Sequence, residues 1–193
     1  IYGDINSGVN RVVQVVLIAM AIALGTASAW RIATVIWNAP LSCPAISYGF
    51  LAQCLFAFLG AAGFVILFNI HGKGCPLCAL GGALTWAVYL TAVEISGSEL
   101  TAYFWAALSS SLYSEIMARI RKYPAISYLV ISLMPLIPGG GIYRAVSFAV
   151  HGNMGMCVDV ALHTAAVAGI LAVGILMAST SVRLVNILKT KRK

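Results

Sequence analysis

Val12-Val-Gln-Val-Val-Leu-Ile-Ala-Met-Ala-Ile-Ala-Leu-Gly-Thr-Ala-Ser-Ala29 carries one amide, two hydroxyls and no charge. A strand of a membrane barrel alternates polar and apolar residues over about ten positions, and this run does not. Its length instead matches the roughly 20 residues a helix needs to cross a bilayer core. The apolar stretch extends from about Val9 to Trp30 and is closed by Arg31. It is too long for a signal-peptide core, and no cleavage pattern follows it.

Further apolar segments follow, at about Gly49 to Phe68, Pro76 to Val93, Thr101 to Ile120, Pro124 to Ile137 and Met154 to Thr180. The fifth is interrupted at Pro135, Pro138 and Gly139-Gly140-Gly141, with a short apolar piece, Ile142 to Val150, beyond. The composition agrees. Hydrophobic residues make up 61% of the 193 and charged residues 9%, against about 25% charged in an average soluble domain. The expected fold class is an all-α integral membrane protein with about six transmembrane helices, one broken at Pro135–Gly141. The partner it requires is the lipid bilayer.

The formal net charge of +7 then belongs to loops and the tail, and no nucleic-acid partner is expected. With the tail Lys189-Thr-Lys-Arg-Lys193 in the cytoplasm, counting back through six spans puts Arg119, Arg121, Lys122, Lys73 and Arg11 inside. Glu94 and Glu99 fall outside. Ten of the twelve basic residues are then cytoplasmic, Arg31 and Arg144 being the exceptions. This follows the positive-inside rule and predicts both termini of the chain on the cytoplasmic side.

The first and last spans resemble each other at an offset of 149. Gly3, Val9, Ala19, Ala23, Gly25 and Ala29 match Gly152, Val158, Ala168, Ala172, Gly174 and Ala178. Asn10 corresponds to Asp159 and Gln14 to His163. Two membrane helices can share small residues by chance, and that reading stands beside a true repeat. If the repeat is real, an odd number of spans separates the copies, so they face opposite ways. Inverted repeats of this kind build secondary transporters. The expected organisation is residues 1–31 as the last helix of a first repeat, 32–48 as a connector, 49–188 as a second five-helix repeat and 189–193 as a basic cytoplasmic tail. Residue 1 is Ile rather than Met, so the chain is expected to be a processed form or a piece of a longer one, its first repeat or a partner subunit lying elsewhere. A homo-oligomer is also compatible.

The strongest local signal is Leu133-Met-Pro-Leu-Ile-Pro-Gly-Gly-Gly-Ile-Tyr-Arg144. Two prolines remove backbone donors and three glycines add conformational freedom. A broken helix inside a membrane has to face protein or a watery cavity, and transporters bind substrates at such breaks. Pro138, Gly139, Gly140 and Gly141 are the candidate unwound segment. Tyr143 stands beside them, and Arg144 can hold a carboxylate as a bidentate fork. The plainer alternative is an extracellular hairpin with an interfacial arginine.

Asp159 and His163 lie four apart, on one face of a helix. Ionisable residues in a span are functional candidates, and histidine titrates near neutral pH, so the pair can relay a proton. A headgroup-level Asp159 with His163 bonded to a neighbouring helix is the alternative. Glu115 follows Ser109, Ser110, Ser111 and Ser114. It reads either as an acid lining a cavity or as the partner of Arg119 one turn on. Gly60 with Gly63, and Gly81 with Gly82, are possible close-packing points, although glycine is common in membrane helices without that role.

Five cysteines, Cys43, Cys54, Cys75, Cys78 and Cys157, form no disulfide framework. His71-x-x-x-Cys75-Pro-Leu-Cys78 lacks a fourth metal ligand and reads first as helix-start packing. The glycine run fits no phosphate or dinucleotide loop. No nucleophile–base set is visible, and no enzyme, cofactor or metal is expected.

Taken together, the chain resembles the threonine/serine exporter family over Gly49 to about Val185. The resemblance rests on Leu59-Gly-Ala-Ala-Gly-Phe-Val-Ile-Leu-Phe-Asn69, Gly81-Gly-Ala-Leu-Thr-Trp86 and, most specifically, Pro135-Leu-Ile-Pro-Gly-Gly-Gly-Ile-Tyr-Arg144. Asp4 to Ala29 look like the end of the family's N-terminal region, whose remainder is not present. The resemblance implies export of small hydrophilic amino acids, chiefly threonine and serine, coupled to protons across a bacterial inner membrane. Split relatives imply dicarboxylate (succinate-type) export as an alternative substrate class. A non-transporting membrane scaffold subunit is the rival from another class.

Overall fold

The computed structural model describes residues 48–70, 74–150 and 152–191, with scattered positions between 9 and 36. Those scattered positions, Asn10, Gln14 and Gly25 among them, are helical. The connector positions Pro40, Cys43 and Pro44, the residues His71 and Lys73, and the tail end Arg192–Lys193 lie outside the described residues. So do Gly3, Arg11, Ala19, Ala23, Ala29 and Arg31.

Every regular element among the described residues is helical. Helix α1 is Phe50–Leu67, α2 Cys75–Ser96, α3 Glu99–Arg121 and α4 Ala125–Leu133. A 3-10 turn, Met134–Leu136, ends α4. Helix α5 is Gly139–Val150 and α6 is Met154–Lys191. Three of these are long and apolar enough to cross a membrane: α1, α2 and the Met154–Leu184 part of α6. A fourth is reached if Ala125–Leu136 and Gly139–Ala149 count as one broken span. Helix α3 is long enough at 23 residues, but its polar content keeps it below that mark. Ser110, Ser111 and Ser114 are buried within the fold.

The boundaries have local causes. Pro76 sits in the first turn of α2, where a missing donor costs nothing. The helix ends at Gly97, whose φ of 63° lets its N–H reach back to Val93 O at 2.9 Å. Ser98 precedes α3 as its N-cap residue, and Glu99 in the first turn meets the positive end of the dipole. Arg119 and Arg121 complement the other end before Lys122, at φ 57°, and Pro124 stop the helix. Helix α6 runs past Thr180 to Lys191 because neither Gly nor Pro follows Gly174 to interrupt its ladder.

Two compact units divide the chain, Ile1–Ile46 with Pro138–Ala165, and Ser47–Ile137 with Ala166–Lys193. In the second unit, one core joins Ala61 and Val65 of α1, Cys78 and Ala79 of α2, and Tyr128 and Ile131 of α4. Another joins Ala106, Ala107, Leu136, Val167 and Leu171. Small side chains dominate at these contacts, as expected where dispersion rather than the hydrophobic effect holds helices together. Many large apolar side chains point outward, Ile66 being 80% exposed, while Tyr128, Ile131 and Leu136 are buried.

The glycine pairs separate cleanly. A Cβ at Gly81 would stand 2.7 Å from Tyr113 Cε1, and one at Gly82 would stand 2.6 Å from Ala61 Cβ. Gly60 and Gly63 face open space. The Gly81–Gly82 pair is a packing point and the Gly60–Gly63 pair is not one among the described residues.

Candidate functional site

The interruption after α4 is built from its prolines. Met134 N–H still bonds Ile131 O, and Ile137 N–H closes the 3-10 turn on Met134 O at 3.3 Å. Ile137 then turns extended, φ −64° and ψ 121°, as the residue before a proline prefers. Pro138 has no N–H to give, but its carbonyl accepts from Gly141 N at 3.1 Å and Ile142 N at 3.3 Å. That starts α5. The unwound stretch is therefore Ile137–Pro138, and the expectation that Gly139, Gly140 and Gly141 are unwound is corrected. All three are helical, because Pro138 precedes a first turn in which glycine is free to follow.

Their surroundings differ. Nothing lies within 4 Å of a Cβ placed at Gly139 or Gly140, and both residues are exposed. Gly141 is buried, and a Cβ there would collide with Thr164 Oγ1 and lie 3.3 Å from Thr164 Cβ. Thr164 is itself buried and donates to Val160 O at 2.6 Å. This contact sets α5 against the first third of α6. Ala145, one turn on from Gly141, is buried too. Replacing Gly141 with alanine should sharply lower both folded protein and activity, since the new methyl has nowhere to go. Adding Thr164→Ala should restore much of the loss, measured as monodisperse protein after detergent extraction. Equal amounts from Gly141→Ala and wild type would contradict the contact.

The other candidates of this unit lie at its surface. Tyr143 and Arg144 are exposed, and the Arg144 guanidinium donates from Nε to Gly140 O at 3.3 Å. Asp159 and His163 are exposed on α6, which is unbroken between them, and His163 immediately precedes Thr164. Glu115 belongs to the other compact unit, half-buried on α3.

Two of the serines before Glu115, Ser110 and Ser114, are engaged in the helix packing. Ser110 Oγ and Ser132 Oγ lie 2.6 Å apart, Ser114 donates to Ser110 O at 2.8 Å, and Ser132 donates to Leu129 O at 3.1 Å. All three are at most 1% exposed. Tyr113 donates to Leu77 O at 2.6 Å alongside. Interhelical hydroxyl bonds of this kind contribute about 0.6 kcal/mol each on average. Ser132 and Thr164 were not singled out from the sequence. The signal for Ser132 was a hydroxyl inside an otherwise apolar run, and for Thr164 its place beside His163.

A shallow groove of about 230 Å³ is lined by Gln53, Phe56, Ala57, Trp86 and Pro135. Trp86 stacks on Tyr89, centroids 5.0 Å apart, and Tyr89 donates to Glu99 Oε1 at 3.4 Å. At the start of α2, Cys75 Sγ bonds Ile70 O at 3.0 Å, while Cys78 is packed in the core with Tyr128. No cluster of three metal-ligating side chains occurs among the described residues.

The conspicuous sequence motifs thus occupy structural positions that matter. Gly81, Gly82 and Trp86 pack α2, Pro135 and Leu136 end α4, and Gly141 opens α5 onto α6. Residues 53–181, from the first turn of α1 to the last third of α6, match the protein family described as Threonine/Serine exporter, ThrE. No curated protein and no solved structure matches the chain. With its apolar helices and broken span, this multi-pass membrane chain belongs to the threonine/serine exporter family, a family of transporters rather than enzymes.

Proposed function

We propose that the chain forms the second, five-helix repeat of a proton-coupled exporter of threonine and serine in a bacterial inner membrane. On this reading residues 49–188 are that repeat, 1–31 contribute the last helix of an inverted first repeat, 32–48 connect them, and 189–193 are a basic tail. Six spans leave both termini cytoplasmic.

The observation that carries the reading is the interruption at Ile137–Pro138, within the stretch matched to the family. It opens a helix N-terminus inside a bent span, and Gly139 and Gly140 keep the backbone there open to approach. The substrate carboxylate lies at that N-terminus, accepting from the Gly139 and Gly140 N–H groups, with Pro138 and Gly141 shaping the turn and Tyr143 at the side, and Arg144 forks onto it. Asp159 and His163, one turn apart on α6, pass the coupling proton. Glu115 is the third titratable group that can take part.

The test is transport by the complete protein in proteoliposomes, with threonine, serine and succinate compared under an imposed proton gradient. Threonine and serine flux that collapses with the gradient is the expected result. Succinate flux in their place would move the substrate class to dicarboxylates. Flux of none of the three would favour a scaffold subunit.

A further inference from the structure

Helix α4 has nine residues, about 14 Å at 1.5 Å per residue. That is half of the roughly 30 Å hydrocarbon core, so α4 cannot set its own depth by spanning. Its neighbours must hold it. Ser132 lies two residues before the Met134–Leu136 turn and is fully buried.

Hydrogen counting gives the contact a direction. Ser132 spends its one hydroxyl hydrogen on Leu129 O, and Ser114 spends its own on Ser110 O. The Ser110 hydrogen is left for Ser132 Oγ, 2.6 Å away. Ser132 is therefore the acceptor that ties α4 to α3. Gly81 makes the approach possible from the third side, since a Cβ there would stand 3.0 Å from Ser132 Cβ. Three helices thus converge on one hydroxyl, and the chain carries its position directly through the turn into Ile137 and Pro138.

We infer that Ser132 is a positioning residue for transport, acting through its bond with Ser110 to hold the half-span that ends at the Ile137–Pro138 break. The inference rests on the exporter reading. Losing the bond leaves the substrate-contacting groups intact but shifts the backbone that presents them. The loss therefore falls on substrate binding rather than on turnover.

The experiment measures KM and maximal rate for threonine, with thermal stability, for Ser132→Ala, Ser110→Ala and the double variant of the complete protein in proteoliposomes. Ser181→Ala, an exposed hydroxyl that donates to Met177 O within its own helix, is the control. Each single variant should raise KM about three- to tenfold, the size of one net hydrogen bond, at a near-normal maximal rate. The double variant should be no worse than either single one, because both remove the same bond. Lower thermal stability at unchanged KM would reduce the bond to helix packing and overturn the inference. Additive effects would overturn the pairing. A wild-type protein that moves no threonine would overturn the exporter reading itself, and the flat wild-type control makes that failure distinguishable.

Discussion

Threonine efflux should be lost when Arg144 is replaced by alanine, while the amount of protein in the membrane should stay near wild type. Arg144 is exposed, and among the described residues its side chain makes a single bond, 3.3 Å from Nε to a carbonyl of its own helix. Little of the fold therefore depends on it. On the proposed reading its value lies in what it offers a ligand, a planar fork that matches a carboxylate. A hydrogen bond to a charged group contributes about 1.5–3 kcal/mol, so losing even one bond of the fork removes roughly ten- to a hundredfold in affinity, and losing both removes more. Arg144→Lys keeps the charge and loses the fork, and should retain a small part of the rate. Initial efflux rates at equal protein would decide it. Near-normal rates for Arg144→Ala would remove this residue from the site.

The largest structural effect is expected at Gly82. Substituting alanine places a methyl 2.6 Å from Ala61 Cβ, about 1 Å inside normal carbon–carbon contact. Neither carbon can rotate away, since each is fixed to its backbone. Helices α1 and α2 must part, and Pro135 Cγ at 3.6 Å closes the other direction. Overpacking of this kind costs about 1–3 kcal/mol, and valine at the same position should cost more. Heating followed by size-exclusion chromatography should show a clearly lower transition for Gly82→Ala. Ala61→Gly in the same chain should recover much of it by removing the opposing methyl. Gly60→Ala serves as the contrast, because nothing lies within 4 Å of its Cβ position. A Gly82→Ala protein as stable as Gly60→Ala would show that α1 and α2 do not meet there.

These two sites show how unevenly the fold can be read from residue types. The helical spans were legible, because long apolar runs without alternation admit one solution in a bilayer. Phe50–Leu67 and Cys75–Ser96 lie within a few residues of the expected bounds. The break was legible too, since proline cannot donate. Its placement was not. Ile137–Pro138 unwinds while Gly139, Gly140 and Gly141 coil, because one proline at a helix start suffices and glycine only permits a conformation. Nor could residue type tell Gly60 from Gly82, or show that Ser110 and Ser114 meet Ser132 across a helix interface.

By itself, the sequence determined the membrane class, the helical periods, the interruption and the family, because each depends on properties local to a short stretch. Hydrophobic length, a missing donor and a motif need no neighbour to be recognised. Tertiary structure alone decided which small residues are contacts, which hydroxyls are spent on other helices, and that Gly141 faces Thr164 while Gly139 and Gly140 stay open. Those outcomes depend on a partner many residues away. The helix period gives each side chain a direction, and only packing determines what it meets.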